Sequence, residues 1–260
     1  MNGAGNDFLV LNNLVEHLPL KVLPQIAKTL CERHMSIGAD GLMVVDAPTQ
    51  GGDYKMLFFN SDGSMGEMCG NGARCICRFA YDHGIAGEEM TVETDAGLVP
   101  GWRMDENQYR VQLNNPGVLD LNRKGPIAYV ELGNPGVPHA VAEYDGDLWA
   151  DADCIWAHMR SLRYDPAFPK GANVNFYQPM GKNEVRVLTF ERGVEDYTLA
   201  CGTGCGSIAS TLWMQGKLPG GVLTAHNRGG TLKVTIGGEH GKISSILLEG
   251  PTEVVKVYEI

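Results

Sequence analysis

Short runs of alternating apolar and polar residues, broken by glycine, asparagine and proline, recur along the chain and predict strands. The first group is Phe8–Leu11, Gly41–Val45, Tyr54–Phe59, Met90–Glu93, Tyr109–Leu113, Ala128–Leu132 and His139–Tyr144. Asn173–Tyr177, Glu184–Phe190, Gly221–Ala225, Thr231–Ile236, Lys242–Leu248 and Glu253–Tyr258 continue the series. Apolar residues three and four apart predict helices at Leu20–His34, Gly70–His83, Ala152–Leu162 and Gly202–Gln215. Few helices among many strands argue against a doubly wound parallel sheet and for an α+β fold.

The pattern repeats itself. Cys69-Gly70-Asn71-Gly72-Ala73 recurs 132 residues later as Cys201-Gly202-Thr203-Gly204-Cys205, close to half the chain, and each copy opens a predicted helix. A further helix precedes each copy. The expected architecture is two homologous halves related by an approximate two-fold, 1–118 carrying the Cys69 turn and 119–260 carrying the Cys201 turn. One or two final strands are expected to return to the first half.

Composition narrows the partners. Thirty-one acidic against 21 basic side chains give a net charge of −10, with no local basic patch, which argues against nucleic acid and anionic membranes. No apolar run approaches the roughly 18 residues of a membrane helix. The first residues have neither a basic stretch nor an apolar core, so no signal peptide and a cytoplasmic location are expected. Glycine is abundant, 34 in 260 residues, nearly double the usual ~7%; this predicts tight turns or backbone brought close to a ligand. Seven cysteines, an odd number, predict reduced thiols rather than a disulfide framework. Cys75 and Cys77 lack zinc-site spacing, so no metal is expected, and Cys31, Cys154 and Cys205 read as packing residues.

The repeated turns carry the chemistry. A cysteine followed by Gly-X-Gly and a helix sits at that helix's N-terminus, where unpaired N–H groups and the dipole lower a thiol pKa from its free value of about 8.5. The glycines admit a ligand to the backbone, whose N–H groups can hold a carboxylate. Two such turns placed face to face would supply a thiolate to remove an α-proton and a thiol to return one to the opposite face. Donors converging on the carboxylate would stabilise the developing charge, at about 3–4 kcal/mol each. Two other classes fit the residues: a cysteine nucleophile acting with His139, and a binding module without catalysis.

Eight segments, in order, resemble the diaminopimelate epimerase family: Gly3-Ala4-Gly5-Asn6-Asp7-Phe8, Gly38-Ala39-Asp40-Gly41, Asn60-Ser61-Asp62-Gly63-Ser64, Cys69-Gly70-Asn71-Gly72-Ala73-Arg74, Pro138-His139-Ala140-Val141, Asn173-Val174-Asn175-Phe176, Glu191-Arg192-Gly193 and Leu199-Ala200-Cys201-Gly202-Thr203-Gly204. The resemblance implies two strand-rich barrels, each around a central helix, with the site in the cleft between them, no cofactor, an amino-acid substrate and a homodimer. It implies Cys69 and Cys201 as the base–acid pair, with His139 and Glu191 polarising the thiols and holding substrate. Gly70, Asn71, Gly202 and Thr203 would offer main-chain N–H groups to the reacting carboxylate. Asn6 would contact the reacting amine, and Asn60, Asn173 and Arg192 the distal end. The alternative reading keeps this chemistry and changes the substrate, to a related cofactor-independent racemase of another amino acid such as glutamate or histidine. From the residues alone, the three asparagines also read as turn positions, His139 as a structural histidine and Glu191–Arg192 as a solvated pair. Two positions depart from the family pattern: Gly41, where glutamine is common, and Val137, where asparagine is frequent.

Overall fold

In the computed structural model, which describes residues 1–66, 69–95, 97–239 and 241–258, the chain divides into two compact units. The first is Met1–Val111 with Glu249–Ile260, the second Gln112–Leu248. The division falls a few residues before the 118/119 boundary expected from the sequence, and the C-terminal segment lies with the first unit.

The first unit holds β1 (Asn2–Gly3), β2 (Asn6–Asn12), α1 (Asn13–Glu16), α2 (Leu23–Leu30), β3 (Gly41–Asp46), β4 (Tyr54–Asn60), α3 (Gly70–Asp82), β5 (Glu89–Thr94), β6 (Gly97–Arg103) and β7 (Gln108–Leu113), whose last two residues belong to the second. The second holds β8 (Pro116–Lys124), β9 (Ile127–Gly133), β10 (Gly136–Glu143), α4 (Ala152–Arg163), β11 (Asn173–Gly181), β12 (Glu184–Glu191), β13 (Asp196–Thr198), α5 (Gly202–Met214), β14 (Val222–Asn227), β15 (Gly230–Glu239) and β16 (Lys242–Pro251), whose last residues pass into the first unit.

The two units repeat one pairing scheme. β2/β3 is parallel, β3/β4 antiparallel, β4/β5 parallel and β5/β6 antiparallel. β10/β11, β11/β12, β12/β14 and β14/β15 follow the same order of senses. In each unit one helix lies inside the curved sheet: α3 against β1, β2, β3 and β6, and α5 against β9, β10, β11, β14 and β15. α5 is buried almost all round, as a central helix must be. The other helix covers the outer face. α2 packs on β4 over Leu23, Ala27, Leu42, Val44, Leu57 and Phe59, and α4 packs on β11 and β12 over Met159, Leu162, Val174, Phe176, Leu188 and Phe190.

Strand alternation then sorts the site. Because Val174, Phe176, Leu188 and Phe190 pack with α4, their neighbours Asn173, Asn175, Thr189 and Glu191 face α5. His139, beside Ala140 of the same outer core, does likewise. His139 is in register with Asn173, and Val174 with Phe190, which brings Glu191 level with Asn173. In the first unit Phe8, Gly41 and Asn60 form the corresponding row.

Several expected elements differ. The helix expected at Leu20–His34 is a 3₁₀ turn at Leu20–Val22 followed by α2, with Pro24 tolerated in its first turn. It ends at Cys31, where Gly38 and Ala39 donate to the carbonyls of Leu30 and Cys31. The strand expected at Glu253–Tyr258 makes a single bridge, Glu253 to Asn2, because its neighbour β1 is two residues long. Strands β6 and β8 were not expected. Among the described residues no helix is long and apolar enough to cross a membrane.

Candidate active site

Each repeated cysteine is a helix N-cap. Cys69 has extended φ/ψ (−110°, 110°) and its Sγ accepts from Gly72 N at 3.5 Å, one turn into α3. Cys201 (−124°, 108°) accepts from Gly204 N at 3.4 Å, one turn into α5, with Thr203 Oγ1 3.5 Å away. A thiol thus takes the place that serine or aspartate oxygen usually fills at a cap. The glycine three residues after each cysteine is closely packed. A Cβ on Gly72 would overlap Met43 Cε, and one on Gly204 would overlap Asn175 Oδ1. Gly70 and Gly202 are buried in the first turns, where main-chain N–H groups lack intrahelical partners.

In the first unit a chain of amides runs from the helix start. Fully buried Arg74 donates to Gly70 O at 3.3 Å and to Asn71 Oδ1 at 3.0 Å. Asn71 Nδ2 donates to Asn6 Oδ1 at 2.7 Å, and Asn6 Nδ2 to Asp40 Oδ2 at 3.1 Å. Arg33 ties Asp40 to Asp7, 2.7 Å from each. Asn60 is a turn residue: its N–H donates to Ser64 O and its Nδ2 to Ser64 Oγ, both at 2.9 Å. Gly41 owes its identity to packing, since a Cβ would come within 2.6 Å of Phe58 Cε2 and Phe59 O.

In the second unit, Asn173 Oδ1 accepts from Arg192 N at 2.8 Å and its Nδ2 donates to Pro138 O at 3.3 Å, holding the strand ends together. The Arg192 guanidinium donates to Lys170 O at 3.4 Å. Glu191 accepts from Thr198 Oγ1 at 2.9 Å. His139 is completely buried; burial, reinforced by the Arg192 charge, pushes its pKa down to about 3, so the ring is neutral. Arg192 thus lies near His139, and Glu191 near Cys201.

Cys201 departs from the expected acidity. Burial and then the nearby Glu191 carboxylate push its thiol up, outweighing the opposing hydrogen bonds from Thr203 and Gly204. A helix start lowers a thiol pKa but burial raises it, and Cys201 is 8% exposed with a carboxylate nearby. Burial also pushes Cys75 and Cys77 up to about 12 and Cys31 to about 11, in keeping with packing roles. Cys154 is exposed on α4, where a packing residue is not expected to lie. Among the described residues no three His, Cys, Asp or Glu side chains group as a metal site requires.

The diaminopimelate epimerase family model matches residues 1–118 and 128–255. The chain belongs to that family. A diaminopimelate epimerase of Hydrogenobaculum sp. is 36% identical over 271 residues, spanning 99% of this chain and 95% of that one. One from Aquifex aeolicus is 38% identical over 240 residues, spanning 86% and 85%. Among solved structures, a phenazine biosynthesis protein of the PhzF family from Bacillus anthracis shares the fold at TM-score 0.67 and 15% identity, covering 96% of this chain and 92% of its own.

In this member of the diaminopimelate epimerase family, sequence reasoning passed over two buried polar residues under α5, Asn175 and Thr189, which are cross-strand partners. Their signal was present: each is a polar residue at an alternate position inside an otherwise apolar strand. Arg74, which sets the Asn71–Asn6 pair, was equally legible as a charge in a helix of cysteines and small residues.

Proposed function

We propose that the chain is an isomerase that interconverts LL- and meso-diaminopimelate without PLP, in the formation of lysine and of peptidoglycan precursors. The observation that carries this reading is the duplicated cap: two cysteines, each at the start of a central helix, each with its sulfur against the N–H of the glycine three residues on. Inverting a stereocentre requires a base on one face of the α-carbon and an acid on the other, and two thiols meet that need.

With its pKa pushed up, Cys201 begins as the thiol, leaving Cys69 as the base for one direction of reaction. The Cys69 thiolate takes the α-proton and becomes a thiol. Cys201 gives its own proton to the opposite face and becomes the thiolate. The reverse direction exchanges the roles. Burial, and with it the Glu191 charge, opposes ionisation of Cys201 and keeps that proton in place until the substrate arrives. The N–H groups of Gly70, Asn71, Gly202 and Thr203 hold the carboxylate and the charge that builds on it. Asn6 contacts the reacting amine, and Asn60, Asn173 and Arg192 the distal amino-acid end. The fixed amides of Asn6 and Asn173 support such roles, because their positions are set before binding. A cytoplasmic homodimer is part of this reading.

LL-diaminopimelate in D2O, with reduced protein and no added PLP, should lose its α-proton signal by NMR as the meso isomer appears. Cys69→Ala and Cys201→Ala should each abolish turnover. Exchange with glutamate or histidine instead would move the chain to a sister racemase. Turnover that survives loss of either cysteine would refute the two-thiol mechanism.

A further inference from the structure

Beneath the first turn of α5 lies a polar cluster that packing alone does not require. Asn175 is fully buried there, its Oδ1 against Gly204. The residue 132 positions earlier, Met43, is buried against Gly72 in the same way. The cross-strand partners of these residues are Thr189 and Phe58. The first unit fills the space with methionine and phenylalanine, so the amide and hydroxyl of the second are not there to fill it.

Their hydrogen bonds point to another role. Asn175 Nδ2 donates to Asn173 O at 3.0 Å and Ala140 O at 3.3 Å, and lies 3.1 Å from His139 Nδ1; Oδ1 accepts from Thr189 Oγ1 at 3.0 Å. Two main-chain carbonyls can only accept, so they dictate which end of the amide faces the ring. His139 Nδ1 then faces an NH2 group, which cannot accept a proton from it, so the proton of the neutral ring sits on Nε2. That Nε2 is buried and has no hydrogen-bond partner among the described residues, a costly state for a ring that serves structure alone.

We propose that Asn175 is a positioning residue that locks His139 as the Nε2–H tautomer and reserves that N–H to stabilise the anion formed during α-proton transfer. The identity of the anion rests on the epimerase reading; the tautomer does not. No proton leaves the ring in this role. Without the amide, the ring can rotate or exchange tautomers and present a lone pair where the anion needs a donor.

The test uses the full chain labelled with ¹⁵N-histidine, read by long-range ¹H–¹⁵N correlation, with His139 assigned by its loss in His139→Gln. Nδ1 is expected unprotonated and Nε2 protonated near neutral pH, and Asn175→Ala should mix the two tautomers. In the same variant kcat should fall roughly 10–100-fold with KM unchanged, because the donor's partner exists only once charge has developed. A protonated Nδ1 in the unaltered chain overturns the proposal, whether or not the variant folds. So does a folded Asn175→Ala that keeps both the tautomer and kcat. The expected tautomer in a chain that exchanges no α-proton from diaminopimelate would support the lock and overturn the epimerase reading, and with it the assigned anion.

Discussion

His139 shows how far one residue's setting can move its chemistry. In the sequence it stands at the start of an apolar strand, where a structural role and a catalytic one read alike. Burial and the Arg192 charge take its pKa from 6.5 to about 3. Between those values the unfolded chain binds a proton that the folded chain refuses, so stability falls as pH drops below the unfolded value. The slope is at most about 1.4 kcal/mol per pH unit. Urea unfolding of the native chain and of His139→Gln between about pH 4 and pH 7 should give a visibly shallower slope for the variant; parallel slopes would mean the ring is already protonated or hydrated when folded. Asn60 and Asn173 teach a related lesson. Both hold backbone, one in a turn and one across strand ends, so the position of each amide is fixed by the fold.

Among the elements, the helix starts were the most legible and the irregular strands the least. Cys-Gly-X-Gly marks α3 and α5 because a cap and glycine are local signals. Strand β6 contains Gly97, Pro100 and Gly101, and β8 opens on Pro116-Gly117. Only pairing makes strands of such segments, and β8, at the end of the strand order, carries its proline at the first position, where no ladder bond is lost. The paired helix starts also make a prediction. Alanine for glycine inside a helix gains about 1 kcal/mol from propensity, so contacts decide the sign. Gly204→Ala would drive a Cβ into Asn175, which is held by hydrogen bonds at both ends of its amide, and should lose about 1–3 kcal/mol. Gly72→Ala meets the free end of Met43 and should stay near neutral. Equal urea midpoints for the two variants would show that the amide cluster is less rigid than its bonds imply.

At the scale of the whole chain, the first unit is completed by residues from the far end of the sequence. Arg110 pairs with Glu249 at 2.6 Å, Arg78 donates to Thr252 O at 2.6 Å, and Asn2 and Glu253 exchange main-chain bonds at 2.8 Å. A chain ending at Leu248 should therefore lose hydrogen-exchange protection in residues 1–111 while α4, α5 and β9–β12 keep theirs; uniform loss, or none, would contradict this division. The sequence by itself determined the α+β class, both thiol turns with the helices they open, and the internal repeat. These are local or periodic signals, written in spacing, glycine and capping residues. Only the tertiary structure decided what surrounds each thiol. The same pairing scheme puts methionine and phenylalanine beneath α3, but an asparagine, a threonine, a histidine and a carboxylate beneath α5. Acidity depends on burial and on charges brought near from other strands. No stretch of sequence around Cys201 announces that burial, with Glu191 brought near, will push its thiol pKa up.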